Sequence, residues 1–242
     1  MSKILIMTFV AIAMIISSCS TLLKGYIRFE PPKDELIPTS QIQEFMKMNI
    51  NPSIVIRTIV SEKQASLADR NEYLYNAMEK ELAIAGFKVR DRGLWIEADE
   101  KSSNRDYQQI KQLQDVDLVL EVIHIVNNKK YTTDRVWRKN GKEKILHDYY
   151  SVSKYGAIIE YKLVLVKNNK FGGSYLFNSA PCPSQNNDCS CILAFKDVPD
   201  RTYPTISFCG KKSKSVFDYV DKNIMEELAR NGIRKMNQKI RN

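Results

Sequence analysis

Two histidines are present, and one stands beside an acid: His147-Asp148. A carboxylate that orients an imidazole is the core of general-base catalysis. That pair needs a nucleophile, and neither serine nor cysteine occurs in a G-x-S-x-G frame. The sequence also lacks a P-loop and an H-E-x-x-H helix. His124 lies inside an apolar stretch, and "FGG" at Phe171 to Gly173 reads as a turn. No catalytic residue is therefore assigned, and a hydrolase using His147 and Asp148 stays as an alternative. Four thiols cluster late in the chain: Cys182, Cys189, Cys191 and Cys209. Their C-x₆-C-x-C spacing departs from the C-x₂₋₄-C pairs of zinc sites, so neither metal nor cofactor is expected.

The fifth cysteine carries the clearest chemistry. Lys3 precedes an apolar run from Ile4 to Ile16, too short for the roughly 20 residues of a membrane span. A positive start, an apolar middle and small residues at the end make an export signal. The tetrad Ile16-Ser17-Ser18-Cys19 resembles the lipobox of bacterial lipoproteins. That resemblance implies cleavage after residue 18 and acylation, palmitate included, of Cys19. Acyl chains contribute about 0.8 kcal/mol per buried CH₂. Ser20 follows, with no aspartate, which by resemblance to enteric bacteria favours the periplasmic face of the outer membrane. Export also makes disulfides the expected state of the clustered thiols. A Cys189–Cys191 ring would be strained. Cys182–Cys189 with Cys191–Cys209, or Cys182–Cys191 with Cys189–Cys209, remain open.

These residues need a scaffold. Residues 19–52, with "FEPPKDELIPTSQ", read as a lipidated tether plus a first element. Residues 53–242 read as one α/β periplasmic domain, a mixed sheet covered by helices. Ser53 to Val60 is a β-branched strand, and Ala68 to Ala85 has helical spacing at Leu74, Met78, Leu82 and Ala85. Ser66 or Asp69 is positioned to cap that helix, and Gly86 to close it in a left-handed turn. "FKVRD" follows as a short strand, Ser103 to Gln114 as a helix, and Asp117 to Val126 and Tyr155 to Val166 as strands. Ser215 and Asp218 have capping-box spacing before a last helix with Phe217, Val220, Ile224 and Leu228 on one face. A basic hairpin insertion (127–154) and a disulfide-stapled, cysteine-rich loop (178–212) complete the layout.

Leu82, Gly86, Phe87, Val89, Arg92, Leu94 and Glu97 follow a helix-end and turn pattern. With Asp117 at an acidic turn and "IIEYKLVLVKNNKFGG" beyond, this stretch resembles the CsgG/TolB amino-terminal group of bacterial envelope proteins. The resemblance implies that group's anticodon-binding-domain-like topology. It also implies an alternative role, an oligomeric outer-membrane secretion pore. A spanning ribbon needs an apolar outer face. In "YTTDRVWRK" one face carries Arg135 and the other Arg138, which argues against that role.

The net charge is +9. Lys129, Lys130, Arg135, Arg138, Lys139, Lys142 and Lys144 crowd the hairpin, against Asp134 and Glu143. The tail holds Arg230, Arg234, Lys235, Lys239 and Arg241 without an acid. Such patches attract anionic lipid or glycan; nucleic acid is not expected outside the cytoplasm. Tyr149, Tyr150, Tyr155 and Tyr161 read as strand packing, with a glycan platform as the alternative. The chain thus reads as a lipid-anchored, non-enzymatic accessory or scaffold protein of the envelope. Its expected partners are the membrane and another envelope protein, with a homo-oligomer as a further option.

Overall fold

The computed structural model describes residues 23–30, 32–57, 65–93, 107, 115–138, 140–146, 151–181, 192–198, 201–204 and 220–242. Alternating apolar residues produce two sheets, each in its own compact unit. The larger unit is Glu30–Tyr131, Lys154–Pro181 and Phe217–Asn242; the smaller is Met1–Phe29, Thr132–Ser153 and Cys182–Val216.

The larger unit contains β2 (Glu35–Pro38), α1 (Ser40–Met48), β3 (Ser53–Arg57), α2 (Ala65–Ile84), β4 (Lys88–Val89), most of β5 (Leu118–Thr133), most of β8 (Val152–Leu165), β9 (Lys170–Ser179) and α3 (Lys222–Arg241). Its six-stranded sheet runs β2-β9-β8-β5-β3-β4. β3 is parallel to β4 and β5, whereas β9 is antiparallel to β8 and β2. A mixed sheet covered by helices is what the sequence implies.

Strand residues alternate between faces, and the two faces bury different sets. Ile54, Ile56, Leu118, Leu120, Val122, Ile159, Tyr161, Leu163, Tyr175 and Phe177 join the helices in one large core. Val55, Val119, Val164 and Val166 meet Tyr107 in a small cluster. Burial on both sides explains why β3 reads as an unbroken apolar run.

The elements are held at their ends by short-range hydrogen bonds. The Thr39 hydroxyl accepts from the Ile42 amide (3.3 Å) and caps α1. Asp117 accepts from the Ser53 amide and hydroxyl, both 2.7 Å, clamping the starts of β3 and β5. Gly86 closes α2 at φ +90, as its spacing implies, while Phe87 N–H donates to Leu82 (3.1 Å). Arg92 spans Glu79 (2.7 Å) and Asn76 (2.6 Å), so this motif arginine locks a turn to α2. Burial pushes the Glu79 carboxyl upward, and Arg92 opposes that shift.

Several expectations are corrected. α2 begins at Ala65, so Ser66 and Asp69 lie within the helix rather than before its start. α3 is capped by Asp221, which accepts from Asn223 (2.8 Å) and Ile224 (3.1 Å). Val220 precedes that helix and Ile224 faces outward; the buried stripe is Met225, Leu228, Ala229, Gly232, Ile233, Met236 and Ile240. "FGG" is strand, not turn: Phe171 to Gly173 lie in β9. Gly173 stands at φ +152, where a Cβ would press on the Tyr175 hydroxyl and the Ile37 carbonyl.

The smaller unit is an antiparallel sheet of β1 (Leu23–Ile27), β6 (Arg135–Arg138), β7 (Glu143–Ile145), β10 (Ile192–Val198) and β11 (Arg201–Pro204), ordered β11-β10-β1-β6-β7. The tether segment 19–52 therefore carries two strands and a helix, and the segment 178–212 contains two strands where a loop was expected.

Candidate functional site

A cleft of about 180 Å³ opens on the second face of the larger sheet, lined by Tyr107, Glu121, Lys162, Val164, Asn169 and Phe171. β5 supplies Glu121, which shares the face of Val119, and β8 supplies Lys162. Asn169 ends a 3₁₀ turn (Val166–Asn168) in the left-handed region at φ 49. That turn aims its side chain at the Tyr107 amide, 3.5 Å away. Phe171 forms part of the rim and is exposed.

Glu121 is the chemical centre, with a side chain only 7% exposed. Arg57 Nη1 donates to one carboxylate oxygen at 3.1 Å, and Lys162 Nζ to the other at 3.0 Å. The same Arg57 nitrogen donates to the Tyr107 hydroxyl at 2.9 Å. A buried carboxylate persists when paired and hydrogen-bonded, and both its oxygens here meet a cation. Arg57 and Lys162 thus both turn to this one carboxylate.

None of Glu121, Arg57 or Lys162 was singled out from the sequence. Their signal was present: "LVLEV", "VIR" and "EYKLV" each place a charge inside an apolar strand. A charge at a buried strand position requires a partner on the next strand.

The residues singled out from sequence fall elsewhere. Cys19, Cys182, Cys189, Cys191, Cys209, Lys139, His147 and Asp148 lie outside the described residues. His124 is exposed on β5, and Tyr161 is fully buried in the core, as strand packing implies. Lys129 and Lys130 are exposed on the far part of β5 in the larger unit, whereas Arg135, Arg138, Lys142 and Lys144 belong to the smaller. Arg135 pairs with Glu143 at 2.9 Å. Among the described residues no cluster of His, Cys, Asp or Glu could hold a metal ion, and no helix is long and apolar enough to cross a membrane.

The geometry defines a mixed α/β sheet domain whose polar cleft is closed on itself by ion pairs, with a separate antiparallel sheet. No protein-family model and no curated protein matches the sequence. Among solved structures the chain is similar to the PelC dodecamer from Paraburkholderia phytofirmans. That alignment has 9% identity and a TM-score of 0.34, over 88% of this chain and 98% of that one. A single-substitution variant of the same protein aligns over the same shares with 8% identity and a TM-score of 0.30. Both scores fall short of establishing a shared fold.

Proposed function

We propose that the chain is a lipid-anchored accessory or scaffold protein of the bacterial envelope, held by acylated Cys19 at the periplasmic face of the outer membrane. The observation that carries this reading is the tetrad Ile16-Ser17-Ser18-Cys19 after Lys3 and a short apolar run. The cleft supports a role in binding rather than catalysis. Arg57 and Lys162 engage both oxygens of Glu121, so the carboxylate that lines the cleft is already committed to neighbours. In the same compartment Cys182, Cys189, Cys191 and Cys209 form two disulfides, and the exposed hairpin lysines face anionic lipid or glycan.

The test is the mass of the intact protein, extracted in detergent from its native envelope. A mature chain starting at Cys19 with added acyl groups is expected, and Cys19→Ala should abolish acyl incorporation and outer-membrane fractionation. An unmodified Cys19 in protein that still fractionates with the outer membrane would refute the anchor.

A further inference from the structure

Three large apolar side chains point outward where α1 and α2 end: Met48 (77% exposed), Ile50 (77%) and Ile84 (76%). Their backbones converge at one end of the larger unit. Arg241, at the end of α3, donates from Nη2 to the Ile50 carbonyl (3.1 Å) and to the Ala85 carbonyl (3.4 Å). One guanidinium thus ties the Ile50 segment to the residue that follows Ile84. Met48 is two positions from Ile50, just before Asn49, whose amide closes α1 on Phe45 (3.0 Å). The Arg241 guanidinium also lies 5.5 Å over the Phe87 ring.

Cations flank this end. Lys47 adjoins Met48, and Lys88 follows Gly86 and Phe87 with its amide on the Pro52 carbonyl (2.9 Å). The Lys239 carbonyl accepts from the Gln43 side chain (3.4 Å), one turn before Lys47. With Arg241 these make four cations, against Glu44 and the exposed Asp115, whose carbonyl accepts from the Ser53 hydroxyl beside Pro52 (2.9 Å). Exposed apolar residues scattered singly need no explanation. Exposed aliphatic side chains gathered at one end and flanked by cations have the composition of surfaces that settle at the boundary of headgroups and acyl chains. The cations then meet anionic lipid and the apolar tips enter the bilayer edge.

We propose that this pole of the larger unit seats on a phospholipid leaflet carrying anionic headgroups, as a second attachment beside the acyl anchor. The proposal rests on the lipid-anchor reading, and the two fail separately. Ile84→Trp places a reporter at this end of the acylated full-length mature chain, with wild-type protein giving the background of Trp95 and Trp137. On vesicles of phosphatidylglycerol and phosphatidylcholine with brominated acyl chains, the added emission should shift to the blue and be quenched. Both effects should be lost in pure phosphatidylcholine, and lost when Met48→Ser and Ile50→Ser are added with circular dichroism unchanged. Three results overturn the proposal. One is unquenched added emission from vesicle-bound protein. Another is equal quenching without anionic lipid. The third is concentration-dependent shielding of the reporter in the absence of vesicles, which would make a second copy the occupant. A mass showing no acyl group on Cys19 would remove the anchor alone; the same quenching, read on unacylated protein mixed with the vesicles, still decides the pole.

Discussion

Tyr161 on β8 and Tyr175 on β9 face each other directly across the strands, and both are fully buried. Their hydroxyls differ. Tyr161 donates to the Ala229 carbonyl of α3 at 3.3 Å, whereas the Tyr175 hydroxyl has no hydrogen-bond partner among the described residues. The same substitution should therefore have opposite signs at the two positions. Tyr161→Phe loses one long hydrogen bond, about 0.5–1.5 kcal/mol. The cost should sit at the low end, because a carbonyl inside a helix keeps its own i+4 donor. The ring stays, with its tilted contact to Phe177 at 5.6 Å. Tyr175→Phe removes a hydroxyl buried without compensation, a burden of about 1–3 kcal/mol. It should stabilise by about 1 kcal/mol after allowing for the small void left above Gly173. Urea unfolding at neutral pH reads both. With slopes of about 1–3 kcal/mol per molar, the midpoints should move apart, Tyr161→Phe down and Tyr175→Phe up, with slopes unchanged. A Tyr175→Phe variant less stable than wild type by about 1 kcal/mol would refute the reasoning.

Burial pushes both phenols above the ordinary tyrosine range. Their folded pKa values exceed the unfolded one of about 10, so their stability is complete below that pH. It should fall by about 1.4 kcal/mol per pH unit per phenol as pH rises past it, and urea midpoints in alkaline buffers should flatten in the double Phe variant. Gly156→Ala would drive a Cβ onto the Ser179 carbonyl oxygen and to 2.7 Å from the Tyr131 ring. A loss of about 1–3 kcal/mol is expected from such overpacking, measured as a lowered Tm. Glu121→Gln should cost about 1–3 kcal/mol, less than in a sealed site because the Lys162 side chain is 35% exposed and can turn to water. A loss far above that in urea unfolding would contradict the pairing described.

β3, β4, β5 and β8 of the larger sheet were legible from their apolar, largely β-branched runs, and α2 because its apolar spacing repeats over several turns; β9 was not, because its "FGG" suggests a turn. α1 and β2 were hidden by "PPKDELIP", where prolines suggest a tether. Pro38 is tolerated because β2 is an edge strand, which needs a ladder on one side only. β5 was read to Val126 but continues to Thr133. Its second half is polar Asn and Lys, so hydropathy gave no signal, while the Asn127 carbonyl still accepts from Val220 at 2.6 Å. The smaller sheet was missed because it joins short strands far apart in sequence, Leu23–Ile27 with Arg135–Arg138 and Ile192–Val198. No local pattern announces such pairings.

The basic run shows why a cluster in sequence need not be a cluster in space. β6 puts Arg135 and Trp137 on one face and Val136 and Arg138 on the other, and Val136 is fully buried. Across the ladder Val136 stands opposite Lys144, so Arg138 and Lys144 share the side of the buried valine. Arg135 lies on the opposite side with Glu143 and Ile145, and Glu143 neutralises it. Arg28 stacks over Trp137 at 5.6 Å, bringing a cation from β1's end to the ribbon that the linear run never included. Lys129 and Lys130, just before the unit boundary at Thr132, stay with the larger unit. Charge reversal at Lys129 and Lys130 should therefore weaken contact with anionic surfaces independently of reversal at Lys142. Additive losses in vesicle binding as salt is varied would follow, and a double reversal that loses far more than the sum would refute this.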